Sequence, residues 1–328
     1  MPSLPSSMHA VLIRRFGGPE VVEFAEIPLP EPRAGELLLQ VEAASLNPVD
    51  WKIRSGKYPL VKDDKLPFVL GRDFSGTVVH SDDPAFPAGT LVHGLLAIEH
   101  GTFAQYTIAR GEQLARVPGA IERIAAAAVP LAGLTAWQGL FDHGGLQAGQ
   151  RVLIHAGAGG VGHLAVQFAK ARGATVITTV STEDVAFAQS LGADEVIDHR
   201  KVRFESRLSD IDLVYDLIGD DTQERSWAVL RKGGTLVSTV QEPSQDKANA
   251  IGVRAMRYTA EPKGDQLREI DALIQSGKVR PVVAHTFAYG DAKQGLSSLE
   301  EGHGSGKLVL DMAGVIAGKP DPVYRPGD

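Results

Sequence analysis

The sequence predicts an α/β protein in which a doubly wound parallel sheet follows a β-rich region. Three observations carry this expectation. Short apolar or alternating runs punctuated by Gly and Pro fill the first third of the chain. From about residue 150, strand-like and helix-like segments alternate. A glycine-rich turn containing Gly157, Gly159, Gly160 and Gly162 joins the first of those strands to the first of those helices. Such alternation is the pattern of parallel strands covered by helices on both faces.

Taken in order, 10–13, 21–24 and 36–43 read as strands, separated by a Gly-Gly-Pro turn and a Pro-rich turn at 28–32. Segments 74–80, 91–95 and 104–108 continue the pattern. Helical periodicity appears at 121–129 and again at 133–142. Strands are then expected at 152–154, 175–180, 196–197, 213–217 and 235–239, and helices at 160–172, 183–190 and 223–230, the last closed by Gly233 and Gly234. The polar stretch 241–250 reads as a loop long enough to act as a lid. A helix at 265–275 and strands at 282–287 and 307–311 are too few for a domain. They are expected to return to the first domain or partly to extend the nucleotide sheet. The tail from Gly318 is rich in Pro and Gly and is expected to be loose. The domains are therefore placed at 1–125, completed by about 265–328, and at 126–264.

A chain of 328 residues is too long for one ordinary core, which agrees with two domains. The 43% hydrophobic and 22% charged fractions are those of a globular protein. A net charge of −7 without a basic block argues against nucleic acid or an anionic membrane as partner. No cysteine occurs, which excludes disulfides, thiolate metal ligands and a thiol nucleophile. No apolar run reaches the roughly eighteen residues of a membrane-spanning helix. Residues 1–7 lack the basic and apolar regions of a signal peptide, so a cytosolic enzyme is expected.

The turn carries the first functional inference. Gly157, Gly159 and Gly162 match G-x-G-x-x-G between an apolar strand and an apolar-periodic helix. The first glycine is expected to permit the turn, the second to let backbone approach a phosphate, and the third to let helix pack on strand. The helix N-terminus beyond Val161 then offers free N–H groups to a pyrophosphate. A dinucleotide cofactor is expected.

Several separated segments extend this. They are 45–56 (Ser-Leu-Asn-Pro-Val-Asp-Trp-Lys-Ile-Arg-Ser-Gly), 71–78 (Gly-Arg-Asp-Phe-Ser-Gly-Thr-Val), 101–106 (Gly-Thr-Phe-Ala-Gln-Tyr), 130–137 (Pro-Leu-Ala-Gly-Leu-Thr-Ala-Trp), the turn itself, 191–194 (Leu-Gly-Ala-Asp) and 306–310 (Gly-Lys-Leu-Val-Leu). In these the chain resembles the zinc-free quinone and enone oxidoreductases of the medium-chain dehydrogenase/reductase superfamily. The resemblance implies a GroES-like catalytic domain, a Rossmann domain and a cleft between them. It also implies two-electron reduction of quinones or α,β-unsaturated carbonyls with NADPH, and a homodimer.

In zinc-dependent relatives, ligands come from Cys-x-x-Asp and Gly-His-Glu segments; here Asn47 and the run Gly71, Arg72, Asp73 stand in those places. None of the ten histidines shows ligand spacing, so no metal is expected. The position that holds a relay hydroxyl in zinc alcohol dehydrogenases is Val49, which disfavours oxidation of simple alcohols. An electron-poor acceptor needs only hydride delivery and a modest donor for the oxyanion.

The resemblance also assigns residues. Asn47 lies near the nicotinamide, its amide able to donate to a substrate carbonyl; the plain reading of Asn-Pro is a turn or helix cap. Tyr58 stands where relatives carry a substrate-facing tyrosine, a proton donor to an enolate or quinol anion; its plain reading is a loop aromatic. Asp50 is expected to order its loop, and Arg72 and Asp73 to pair internally. Thr135 matches a cofactor contact, or else bonds back to the carbonyl four residues earlier. Backbone at Val240 is expected to hold the carboxamide. Lys307 lies in a family segment near the cofactor, or is a surface lysine ahead of a strand.

An NAD site usually carries an acid about twenty residues beyond the turn. Ser181 occupies that place, which leaves room for a 2′-phosphate, and Val185 replaces the basic residue that often follows in NADPH-using relatives. His199 falls where relatives place a tyrosine near the phosphate, and the loop His199, Arg200, Lys201 is the candidate for its charge. Glu183 and Asp184 read as first-turn helix acids. NADPH is preferred, with NADH as the alternative. Two further readings stay open: an enoyl-thioester or halo-acrylate reductase, and an NADPH-binding sensor or structural protein without turnover.

Overall fold

The structure is a computed structural model and describes residues 4–302 and 304–316. Strands Arg151–His155, Thr175–Val180, Glu195–Asp198, Ile211–Asp216, Leu230–Ser238 and Arg254–Arg257 form a six-stranded parallel sheet. In sheet order they run third, second, first, fourth, fifth, sixth, so the chain reverses direction beside the first strand. Alternation along that strand explains why both faces are covered. Val152 and Ile154 enter one core with Leu164, Phe168 and Tyr215, whereas Leu153 enters another with Ile177, Phe204 and Val214.

The fold class is as expected, and several details depart from the sequence reading, among them the helices Pro48–Arg54 and Ala292–Glu301, which were not expected. The expected lid contains a helix, Gln245–Ile251, capped by Ser244 and ended by Gly252 at φ 68°. The sixth strand, Arg254–Arg257, was not expected, because arginines at both ends mask its short apolar centre. The helix expected at 223–230 runs Asp220–Ser226, and its strand begins at Leu230, passing through Gly233 and Gly234 with a register shift between Ile211 and Leu213.

A second sheet of seven strands is built around the long strand Glu36–Leu46. On one side lie Lys307–Asp311 and then Val283–Ala288, joined through helix Ala292–Glu301; on the other lie Asp73–His80, Leu91–Leu95 and Leu114–Arg116. Tyr106–Arg110 also pairs with the long strand. Strands Ser7–Ile13, Val22–Pro28 and Phe68–Val69 make a small third sheet. The tail from Gly318 lies outside the described residues.

Two joints position the site. Helix Gly162–Ala171 grips the segment entering Val283–Ala288: the Gln167 side chain bonds both backbone groups of Arg280 (2.8 and 3.0 Å), and His163 Nε2 accepts the Val282 N–H at 3.1 Å. That donor leaves Nδ1 as the protonated nitrogen of His163, which donates to the Gly159 carbonyl at 3.1 Å. Burial, with Lys307's charge as a lesser contributor, holds this imidazole down to about 4. At the second joint, helix Pro130–Trp137 widens into a π-helical turn, Gln138–His143. The Thr135 carbonyl there accepts the hydroxyls of Tyr215 (2.9 Å) and Tyr258, which compete with the helix's own hydrogen bonds. Gly139 makes room for this, since a Cβ there would lie 2.4 Å from the Tyr215 ring.

Candidate active site

The glycines of the turn divide their roles differently from the expectation. The left-handed residue is Ala156 (φ 55°), not Gly157. Gly157 is required by the neighbouring strand, because a Cβ would sit 1.9 Å from Thr178 Oγ1. Gly162 lets the helix start against the strand, where a Cβ would meet the Ala156 carbonyl oxygen at 2.0 Å. Gly159 faces open space, with only that carbonyl at 3.4 Å, and Val161 caps the helix. A cavity of about 270 Å³ runs from Ala156, Ala158 and Gly159 to Ser181, Asp184, His199 and Arg225. A phosphate-sized approach at Gly159 and a groove to the end of the second strand fit the adenosine half of a dinucleotide.

The seven-stranded sheet meets this turn from the other side. Gly306 N donates to the Ala158 carbonyl (2.9 Å), and the Lys307 stem lies against Gly160, where a Cβ would be 3.0 Å from Cδ. Pairing of Leu308 with Leu46 and of Phe74 with Ala44 puts the ends of three adjacent strands together. Lys307 is thereby 3% exposed, Asn47 1% and Asp73 0%. Lys307 Nζ donates to the Leu46 carbonyl (3.0 Å) and to Asn47 Oδ1 (2.5 Å). Asn47 Nδ2 donates to the Ser45 carbonyl (3.0 Å) and to Asp73 Oδ1 (2.8 Å). Asp73 also accepts from Ser45 Oγ (2.7 Å) and from Leu131 N (2.9 Å). Asp50 Oδ2 accepts the Asn47 N–H at 2.7 Å, while its Oδ1 is buried without a partner. Burial pushes the Asp50 carboxyl up to about 7, Asp73's charge adding to it and Lys307 and Arg72 opposing. Burial likewise raises Asp73 and lowers Lys307, each restrained by the other's charge.

Lys307 is buried, which sets aside the alternative of a surface lysine ahead of a strand. Other expectations are corrected. Both Asn47 amide hydrogens are committed, so donation to an acceptor carbonyl would require one of those bonds to open. Arg72 does not pair with Asp73; its Nη2 donates to the Leu96 carbonyl at 2.7 Å. Thr135 Oγ1 donates back to Leu131 O at 2.6 Å, which is the plain reading of that residue. Arg200 is bidentate on Glu183 (2.8 and 2.9 Å) in an exposed pair, so reaching a phosphate would require that pair to open. Val240 N is engaged by Ser238 Oγ at 3.2 Å, and its side chain is 37% exposed. Tyr58 is half-buried on the loop after helix Pro48–Arg54, and among the described residues its hydroxyl has no hydrogen-bond partner. Sequence reasoning missed Arg225 and Gly304 as cavity residues and read Asp184 only as a helix acid. No local signal marks them, since helix Asp220–Ser226 reads as an ordinary charged surface helix.

Comparison with known proteins covers strands of both sheets. An alcohol dehydrogenase GroES-like domain matches residues 33–119, and a zinc-binding dehydrogenase domain matches 191–310. The NADPH-dependent alkenal/one oxidoreductase of Arabidopsis thaliana, a chloroplastic protein, is 35% identical over 94% of this chain and 80% of its own length. The chain belongs to the quinone and enone oxidoreductases of the medium-chain dehydrogenase/reductase superfamily. Quinone oxidoreductase from Coxiella burnetii superimposes with a TM-score of 0.87 at 35% identity, covering 93% of this chain and 99% of that one. The Escherichia coli quinone oxidoreductase complexed with NADPH gives 0.84 at 30% identity, with 93% and 100% covered. Although one family description names zinc, no group of three His, Cys, Asp or Glu among the described residues of this oxidoreductase could hold a metal ion. No helix among them is long and apolar enough to cross a membrane.

Proposed function

We propose that this chain reduces a quinone or an α,β-unsaturated carbonyl with NADPH and without a metal. The observation that carries the reading is the contact of Lys307 with Gly160, which sets the buried Asn47–Asp73–Lys307 cluster directly beside the dinucleotide turn. Gly157, Gly159, Gly160, Gly162 and Val161 would hold the pyrophosphate, with Ser181 and His199 toward the adenosine end. Bound there, the cofactor supplies a hydride. The chain's own residues then orient the acceptor and manage the proton. Lys307 brings a positive charge to the place where relatives with zinc keep ligands, and its Nζ bonds to Asn47 Oδ1 and the Leu46 carbonyl support an ammonium there rather than a metal ion. Asn47 holds that ammonium, and Tyr58 orients the acceptor and returns a proton to the reduced product. A homodimer acting in the cytoplasm belongs to the same proposal.

The test follows NADPH absorbance with panels of quinones and enones and identifies the reduced products. Tight cofactor binding without turnover of any acceptor would reject the catalytic reading in favour of a sensor. Activity lost on chelation and restored by zinc would reject its metal-free part.

A further inference from the structure

We propose that Lys52, Lys57 and Arg257 form a cationic anchor beside Asn47 and Tyr58, and that this anchor selects quinones and enones carrying a carboxylate. The proposal rests on the acceptor-reducing function above and names its substrate class. Helix Pro48–Arg54 is capped by Asn47, and Lys52 is its fifth residue. A rise of about 1.5 Å per residue puts Lys52 about 7 Å beyond Asn47 along the helix axis, which suits a carboxylate several bonds from the reacting carbonyl. Trp51 packs against the core that holds Leu46 and Ile53. Its ring carries two ammonium groups, Lys57 Nζ at 5.4 Å from the centroid and Lys52 Nζ at 5.9 Å. Lys57 N donates to the Lys52 carbonyl at 2.8 Å, and Tyr58 is the next residue. The two lysines and the tyrosine proposed to orient the acceptor thus share one short segment.

The third charge comes from the six-stranded sheet. Arg257 ends the strand Arg254–Arg257, in register with Ser238. It is near enough for its charge to act on Lys52: burial lowers the Lys52 ammonium from its ordinary value, and Arg257 lowers it further. Like charges held together from two sheets repel, and an anion placed between them offsets that repulsion. Among the described residues no ion pair joins a carboxylate to Lys52, Lys57 or Arg257. The phosphates of the cofactor do not account for the cluster. In the sheet, Arg254–Arg257 is three strands from Arg151–His155, which leads into the glycine-rich turn, and four from Thr175–Val180. At ordinary strand spacing these are about 14 and about 19 Å. An acceptor entering beside Asn47 and Tyr58 brings its own charge within reach of the anchor instead.

The test compares a straight-chain enone ending in a carboxylate with its methyl ester, following NADPH absorbance. In the unaltered protein kcat/KM is expected to be about tenfold higher for the acid, and the preference is expected to shrink at high salt. Arg257→Gln, at an exposed strand end, should raise KM for the acid about tenfold with little change in its kcat, drawing the acid-to-ester ratio toward one. Lys52→Gln should move the ratio in the same direction. Arg257→Glu should reverse it, so that an enone ending in a quaternary ammonium is reduced faster than the acid. An ester reduced as well as the acid by the unaltered protein, or a ratio that neither Arg257→Gln nor Lys52→Gln alters, overturns the proposal. If neutral quinones and enones are reduced without preference for the acid, this inference fails and the proposed function stands. If no acceptor of either kind is reduced, both fail.

Discussion

Lys307, Asn47, Asp73 and Asp50 form a buried group in which an ammonium balances two carboxyls. Removing one member of such a set is more harmful than its pairwise bonds suggest, because its partners stay buried and unmatched. Lys307→Met is therefore expected to lower stability by about 3 kcal/mol in urea denaturation. A variant as stable as the unaltered protein would mean that the carboxyls are already neutral. Tyr58→Phe speaks to the other half of the site. If the phenol returns the proton, kcat falls about a hundredfold while the NADPH dissociation constant holds; an unchanged kcat would leave Tyr58 a loop aromatic. The sequence marked Asn47, Tyr58 and Lys307 as residues of interest, yet it left Lys307 undecided between site and surface. The answer lay in the pairing of Leu308 with Leu46, across 260 residues from Lys307 to Asn47.

At the scale of elements, the strand-turn-helix around Gly162 was legible because its signals are local: an apolar run, closely spaced glycines and a helical period. What the glycines do was less legible, since their neighbours belong to other segments. Gly162→Ala places a Cβ 2.0 Å from the Ala156 carbonyl oxygen, so the helix must shift away from the strand. NADPH binding is expected to fall below detection in fluorescence titration while circular dichroism stays near that of the unaltered protein. Retained affinity would show that the helix start is not the phosphate site. The unread strand Arg254–Arg257 is short and polar-ended, so its pairing with Leu230–Ser238 outweighs its weak pattern, while the polar helix Gln245–Ile251 is marked by its Ser244 cap and Gly252 stop rather than by an apolar period.

Across the whole molecule, His163 and Gln167 couple the glycine-rich turn to the segment that returns to the seven-stranded sheet. His163 is neutral in the fold, where burial holds it to about 4, but titrates near 6.5 when unfolded. The unfolded chain therefore takes up the proton first, and this contribution to stability is complete above about pH 6.5 and lost as pH falls toward 4. His163→Gln keeps an acceptor for Val282 N–H without the titration. Its urea midpoint should lose less than that of the unaltered protein between pH 6.5 and 4, the difference amounting to about 3 kcal/mol at most. Parallel pH curves would show that His163 does not couple folding to protons.

By itself the sequence determined the β-rich start, the parallel alternation, the dinucleotide turn and the family, because each of these is written in local period or short motif. Only the tertiary structure decided that Arg200 pairs with Glu183, that Arg225 and Asp184 line the cavity, and that Ser305 reaches Asp184 across 121 residues. The physical reason is that strand register and helix docking choose which side chains meet, and burial then determines which charges remain free to act.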